Sequence, residues 1–186
     1  LQEFRKISME INDIKSSDEW INFYKKLIYW EIELENSQDN TMLEILEAQK
    51  FEANFQFGKF IEKNYSSWFK GESSPLLSHK LFETKIAPEI SKDQSTLLII
   101  VDNLRFDQWK SMESNVNKYY KIKNESLYYS ILPTATQYSR NAIFSGLTPM
   151  EMENKFPNYW RNDNDEGGKN LYEDKFLDNQ LLRLGY

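Results

Sequence analysis

The sequence predicts a mixed α/β chain, with an N-terminal three-helix bundle over residues 1–92 and a parallel-sheet domain over residues 93–186. Three observations carry that expectation. Apolar side chains recur at helical spacing through the first 92 residues. From residue 93 the rhythm changes: residues 96–101 form one continuous apolar run, and "SLYYSIL" (126–132) alternates, as strands do. Helix-compatible segments follow each of these, and the order strand, helix, strand, helix implies a right-handed βαβ unit.

In the first half, Trp20, Phe23, Leu27, Trp30 and Leu34 fall at spacings of three and four, a narrow seam of the kind bundle helices bury. Ser16 with Glu19 forms a capping box at its start, and "ENSQDN" reads as the following turn. Thr41 with Glu44 opens a second, long helix running towards Trp68, with Gly71 placed to end it. Along it Leu46, Phe51, Phe55, Phe60, Ile61, Tyr65 and Trp68 read as one wide aromatic face. "SPLLSHKLFETKIAPEI" supplies a third, shorter helix that Pro88 ends or kinks.

In the second half, residues 105–118 read as a helix with Phe106, Trp109 and Met112 on one side, and residues 136–147 as another ending near Gly146. "LTPME" is a complete helix start: Thr148 as cap, Pro149 at the first position, Glu151 at the third, and Leu147 with Met152 as a staple. Residues 158–170 are loop by composition, and a last helix spans about 171–184.

Composition narrows the function classes. A hydrophobic content of 40% and an aromatic content of 15% call for a compact chain. The net charge of −6, with basic residues scattered among acidic ones, argues against a duplex nucleic-acid surface. Absence of cysteine removes disulfides and thiolate zinc sites and suits a cytoplasmic setting. No run reaches the length of a membrane span. His79 is the single histidine and has no second His or Cys with which to build a site, so it reads as a surface or interface residue. The start at Leu1 and the apolar "LLRLGY" at the end read as cuts in a longer protein.

Two strand ends carry the residues able to do chemistry. The first predicted strand ends in Asp102 and the second in Pro133-Thr134-Ala135-Thr136. In open parallel sheets ligands bind outside the carboxyl ends of strands. A carboxylate beside a hydroxyl suits a divalent cation and an activated oxygen nucleophile, and a helix N-terminus offers N–H groups to a phosphate. The same residues are also ordinary caps, and Thr134 with Gln137 makes a capping box, so the pattern alone leaves both readings open.

"IIVDNLRFDQW", "YYSILPTATQYSRNAIFSGLTPME" and "NYWRNDNDEGGKNLYE" together resemble the PglZ domain of the alkaline phosphatase superfamily, and more closely the effector part of PorX-type response regulators associated with type IX secretion. The resemblance implies a helical bundle followed by the opening part of an alkaline-phosphatase-like domain, within a protein that also carries a receiver domain. It implies Asp102 as a metal ligand and Thr136, followed ten residues later by Gly146-Leu147, as nucleophile and metal ligand, with Thr134 as fallback. Asn103 and Arg105 would support substrate binding. It further implies two zinc ions in the complete domain, held weakly or not at all by this stretch, since no histidine follows Thr136. The implied activity is zinc-dependent phosphoester, chiefly phosphodiester, hydrolysis, with this stretch alone inactive. A sensor kinase and secretion components would be partners of the whole protein. The alternative is a non-catalytic signalling module whose phosphatase-like half docks partners and whose aromatic seam serves a homodimer.

Overall fold

The computed structural model describes residues 2–37, 40–71, 74–91 and 93–186. Its α-helices are α1 (Gln2–Ile11), α2 (Ser17–Ser37), α3 (Asn40–Asn64), α4 (Ser78–Leu81), α5 (Phe106–Val116), α6 (Thr136–Ser145), α7 (Pro149–Lys155) and α8 (Glu173–Arg183). They fall into two compact units, Leu1–Pro75 with Asn103–Leu127, and Leu76–Asp102 with Tyr128–Tyr186.

The expected parallel sheet is not there: among the described residues the fold is mostly helical, not α/β. Residues 96–101 form no strand and no other regular element, with Leu97 83% and Ile99 70% exposed. In 126–132 the alternation is real, since Tyr129 and Ile131 are buried, yet β-pairing reduces to one isolated parallel bridge between Leu77 and Tyr129. Apolar alternation expresses a preference for a pleated, half-buried surface, whereas a sheet requires a neighbouring backbone to take each N–H and C=O. Tyr129 N–H finds the Leu76 carbonyl at 2.8 Å and Ile131 N–H finds Ser78 Oγ at 3.1 Å, and among the described residues the bridge does not extend into a ladder. The predicted βαβ unit fails with it.

In the first unit, the seam of α2 forms the core as its spacing requires. Trp20, Phe23, Leu27 and Leu34 are buried and Trp30 packs against them. The start of α2 is the expected capping box: Glu19 N–H donates to Ser16 Oγ at 3.2 Å and Ser16 N–H to Glu19 Oε2 at 2.9 Å. The helix α1, which the sequence reading did not single out, adds Phe4, Ile7 and Ile11. Buried Gln49 of α3 ties down α1, donating through Nε2 to the Phe4 carbonyl at 2.6 Å and to Ser8 Oγ at 2.8 Å. The turn expected over "ENSQDN" includes Gln38 and Asp39, which lie outside the described residues.

The wide aromatic face expected of α3 divides. Leu46 is fully buried, while Phe51 is 77% and Phe55 55% exposed. Nine residues at about 100° each put Phe55 about half a turn from Leu46, so the two cannot share a face. α3 gives way at Tyr65–Phe69 to a 3₁₀ turn, through which Trp68 meets Phe60 at 6.0 Å between ring centroids. Within the same unit, Phe106 of α5 meets Tyr24 at 6.0 Å, and Trp109 Nε1 donates to Glu125 at 2.9 Å.

In the second unit α6 packs against both α4 and α8. α4 continues through a π-turn, Phe82–Ile86, into a 3₁₀ turn holding Pro88. α7 starts as its sequence demands: Glu151 N–H donates to Thr148 Oγ1, Thr148 N–H donates to Glu151 Oε2 at 2.9 Å, and Leu147 and Met152 are buried. Phe176 of α8 closes the core, edge-on to Phe156 at 5.9 Å.

Truncating Leu46 to Ala is expected to cost about 2–5 kcal/mol by urea denaturation. Phe51→Ala on the same helix should stay within about 0.5 kcal/mol. Equal losses would show that α3 is turned differently.

Candidate active site

Helix α6 carries one half of the site because its first residue is Thr136. Pro133 and the extended Ala135 keep the chain out of helix until that point, and Tyr138 and Ser139 N–H groups close the first turn on the Ala135 carbonyl. Its far end is fixed by Gly146, whose φ of +64° favours glycine and whose missing Cβ would lie 2.1 Å from Gln180 Oε1. Buried Gln180 of α8 donates through Nε2 to the Ile143 and Phe144 carbonyls at 2.9 and 2.8 Å, satisfying acceptors that the end of α6 leaves open. Arg183 adds a bond to the Ser145 carbonyl.

At the other end the structure brings Asp102 and Thr136 together, thirty-four positions apart in the chain. Thr136 Oγ1 donates to Asp102 Oδ2 at 3.4 Å, the long end of hydrogen bonding. The same carboxylate oxygen accepts from Arg140 Nη1 at 2.9 Å. Arg140 Nε donates to Glu173 Oε1 at 2.5 Å, and Asn170 Nδ2 reaches that oxygen at 3.3 Å. The Asp102 side chain is 54% exposed, so a solute can reach it, while Arg140 and Glu173 are largely covered.

Thr134, the fallback nucleophile, is exposed, and its carbonyl accepts from Ser139 Oγ at 3.0 Å. Asn103 takes a left-handed conformation, φ 58°, which Asn tolerates better than most residues. Arg105 grips Asp107 through Nε at 3.0 Å and Nη2 at 2.7 Å, both within the first unit. That pair holds the Asp107 carboxyl below its ordinary range. Arg140 and Glu173 were not singled out from the sequence. Arg140 was findable as the residue four after Thr136, hence on the same helix face. Glu173 had no local signal, because its partner lies 33 residues away.

Two family models match. One, described as the PorX response regulator linker domain, covers residues 1–69. The other, described as the BREX system PglZ alkaline phosphatase-like domain, covers residues 81–185 and so contains Asp102, Thr136, Arg140 and Glu173. The chain belongs to the PglZ family. A search of curated proteins returns no match. This PglZ chain thus joins a response-regulator linker to a phosphatase-like domain. No helix among the described residues is long and apolar enough to cross a membrane.

The residues present do not by themselves fit zinc. A protein zinc site takes at least three protein ligands. The described residues contain no cluster of three His, Cys, Asp or Glu side chains placed to hold a metal. Asp102 and Thr136 offer two ligand side chains, and an arginine already lies on the carboxylate oxygen that Thr136 bonds. His79 stands on α4, where burial, with Lys80 beside it, pushes its imidazole below its ordinary pKa.

Gly146→Ala should destabilise the chain by about 1–3 kcal/mol in urea denaturation, from backbone strain at positive φ, before the clash with Gln180 is added. His79 has its own signature. A pKa depressed in the folded state means that the unfolded chain takes up the proton first, so stability is lost as pH falls from about 7 towards 5. His79→Gln should flatten that part of a Tm-against-pH curve, and an unchanged slope would show that His79 is not desolvated.

Proposed function

We propose that this chain is part of a response regulator whose effector hydrolyses phosphoesters, with phosphodiesters as the chief substrates and Thr136 as the nucleophile. The observation that carries the reading is the meeting of Thr136 Oγ1 with Asp102 Oδ2 inside the PglZ match, at the start of a helix. In the proposed reaction Thr136 Oγ attacks phosphorus, its proton passes towards Asp102, and the alcohol leaves with the electrons of the broken P–O bond. Water then attacks the phosphothreonine diester, the P–Oγ bond breaks with its electrons and a proton returning to Thr136, and the phosphate monoester is released. Amide groups at the start of α6 suit the phosphoryl oxygens. Asn103 and Arg105 are supporting candidates, and Thr134 replaces Thr136 if the latter proves dispensable. The family resemblance implies two zinc ions, towards which this chain contributes Asp102 and Thr136, and the steps above are confined to the chain's own groups. Through the linker the enzyme would answer a sensor kinase in the cytoplasm and regulate type IX secretion.

A second reading has its own support: Arg140 already neutralises Asp102, and Phe51 and Phe55 lie bare on α3. On that reading the chain is a non-catalytic signalling module that docks partners or pairs with a second copy.

In the full-length protein, Thr136→Ala is expected to reduce hydrolysis of a chromogenic phosphodiester to background, a loss of at least about 100-fold. Unchanged turnover would remove Thr136 as nucleophile. Zinc near two equivalents in the purified protein favours the enzyme, whereas a folded, metal-free and inert protein favours the docking module.

A further inference from the structure

Asp102 follows residues 96–101, which have no ladder partner among the described residues, so backbone pairing does not aim its carboxylate. Side chains do. Oδ2 takes Arg140 Nη1 at 2.9 Å and the Thr136 hydroxyl at 3.4 Å, which makes the arginine the shorter of its two tethers and the one that is an ion pair. Arg140 in turn is not free to swing. Its Nε is bonded to Glu173 Oε1 at 2.5 Å, Glu173 is the first residue of α8, and α8 is fastened to the far end of α6 by Gln180. A planar guanidinium bonded through two different nitrogens to two carboxylates has its orientation fixed, which a lysine ammonium cannot reproduce. Arg140 also lies one turn beyond Thr136 on the same face, so the hydroxyl and the guanidinium share one rigid support.

From this geometry we infer that Arg140 is a positioning residue of the site, holding the Asp102 carboxylate against the Thr136 hydroxyl, and that Glu173 sets its angle. The inference deepens the phosphoester reading and rests on it for its catalytic consequence. The arrangement itself rests only on the contacts.

Both parts are tested in the full-length protein. Arg140→Gln is expected to lower kcat by about 100-fold, as a misplaced reacting group does, with KM changed less than about threefold. Glu173→Gln should lower kcat by about 10-fold, and Arg140→Lys should not restore the Arg140→Gln loss, because charge alone does not supply the fork. A wild-type kcat in a folded Arg140→Gln or Glu173→Gln protein overturns the inference, as does full rescue by lysine. If Arg140→Gln does not fold, Glu173→Gln decides. Thr136→Ala separates the two claims: full activity in that variant sinks the nucleophile reading. A readout that needs no turnover is the Tm of Asp102→Asn, Arg140→Gln and the double variant. A non-additive difference of about 2 °C supports the tether, and strict additivity overturns it whatever the enzyme does.

Discussion

A buried amide holds the second unit in register. Gln180, almost wholly enclosed, turns its Nε2 into the last carbonyls of α6, and only a glycine at position 146 leaves room for its Oε1. An unpaired buried amide would cost about 1–3 kcal/mol, so the contact is strongly specified in both directions: α6 needs donors at its end, and Gln180 needs acceptors. With α6 and α8 locked together, the opposite end of α6 has a defined neighbour in Glu173, and through Arg140 that neighbour reaches Asp102. The local order of the candidate site is inherited from a contact made seven and eight residues along the helix from Thr136.

Where the signal was short-ranged, the sequence was readable. Ser16 with Glu19, and Thr148-Pro149 with Glu151, form the bonds that their spacing calls for, because a cap needs only its own turn. The seam from Trp20 to Leu34 is buried because five residues at three-and-four spacing leave one possible inner face. Two expectations fail, one for want of distant information and one on local helix geometry. Residues 96–101 have strand-like composition, but pairing is a property of two segments, and among the described residues no second backbone pairs with them. On α3, size and apolarity suggest one aromatic face, but the helical angle turns Phe51 and Phe55 away from buried Leu46.

The site divides along the same line. Asp102 and Thr136 were legible as strand-end and helix-start residues, and they do approach each other even though the sheet that was expected to bring them together is missing. Their neighbourhood instead comes from the Arg140 side chain. Arg140 and Glu173 escaped notice because charged residues on a helix are ordinarily solvated, and only the packing of α8 on α6 turns this pair inward.

The unpaired run at 96–101 has a practical side. Leu97, Ile99 and Val101 alternate in the sequence and are all exposed, and among the described residues no backbone group bonds the amides and carbonyls of 96–101. Such a run is a template onto which an extended backbone can zip. Concentrated solutions of this polypeptide would be expected to precipitate through that run, and a lysine set among its branched residues would act as a gatekeeper for solubility while leaving the helical units intact.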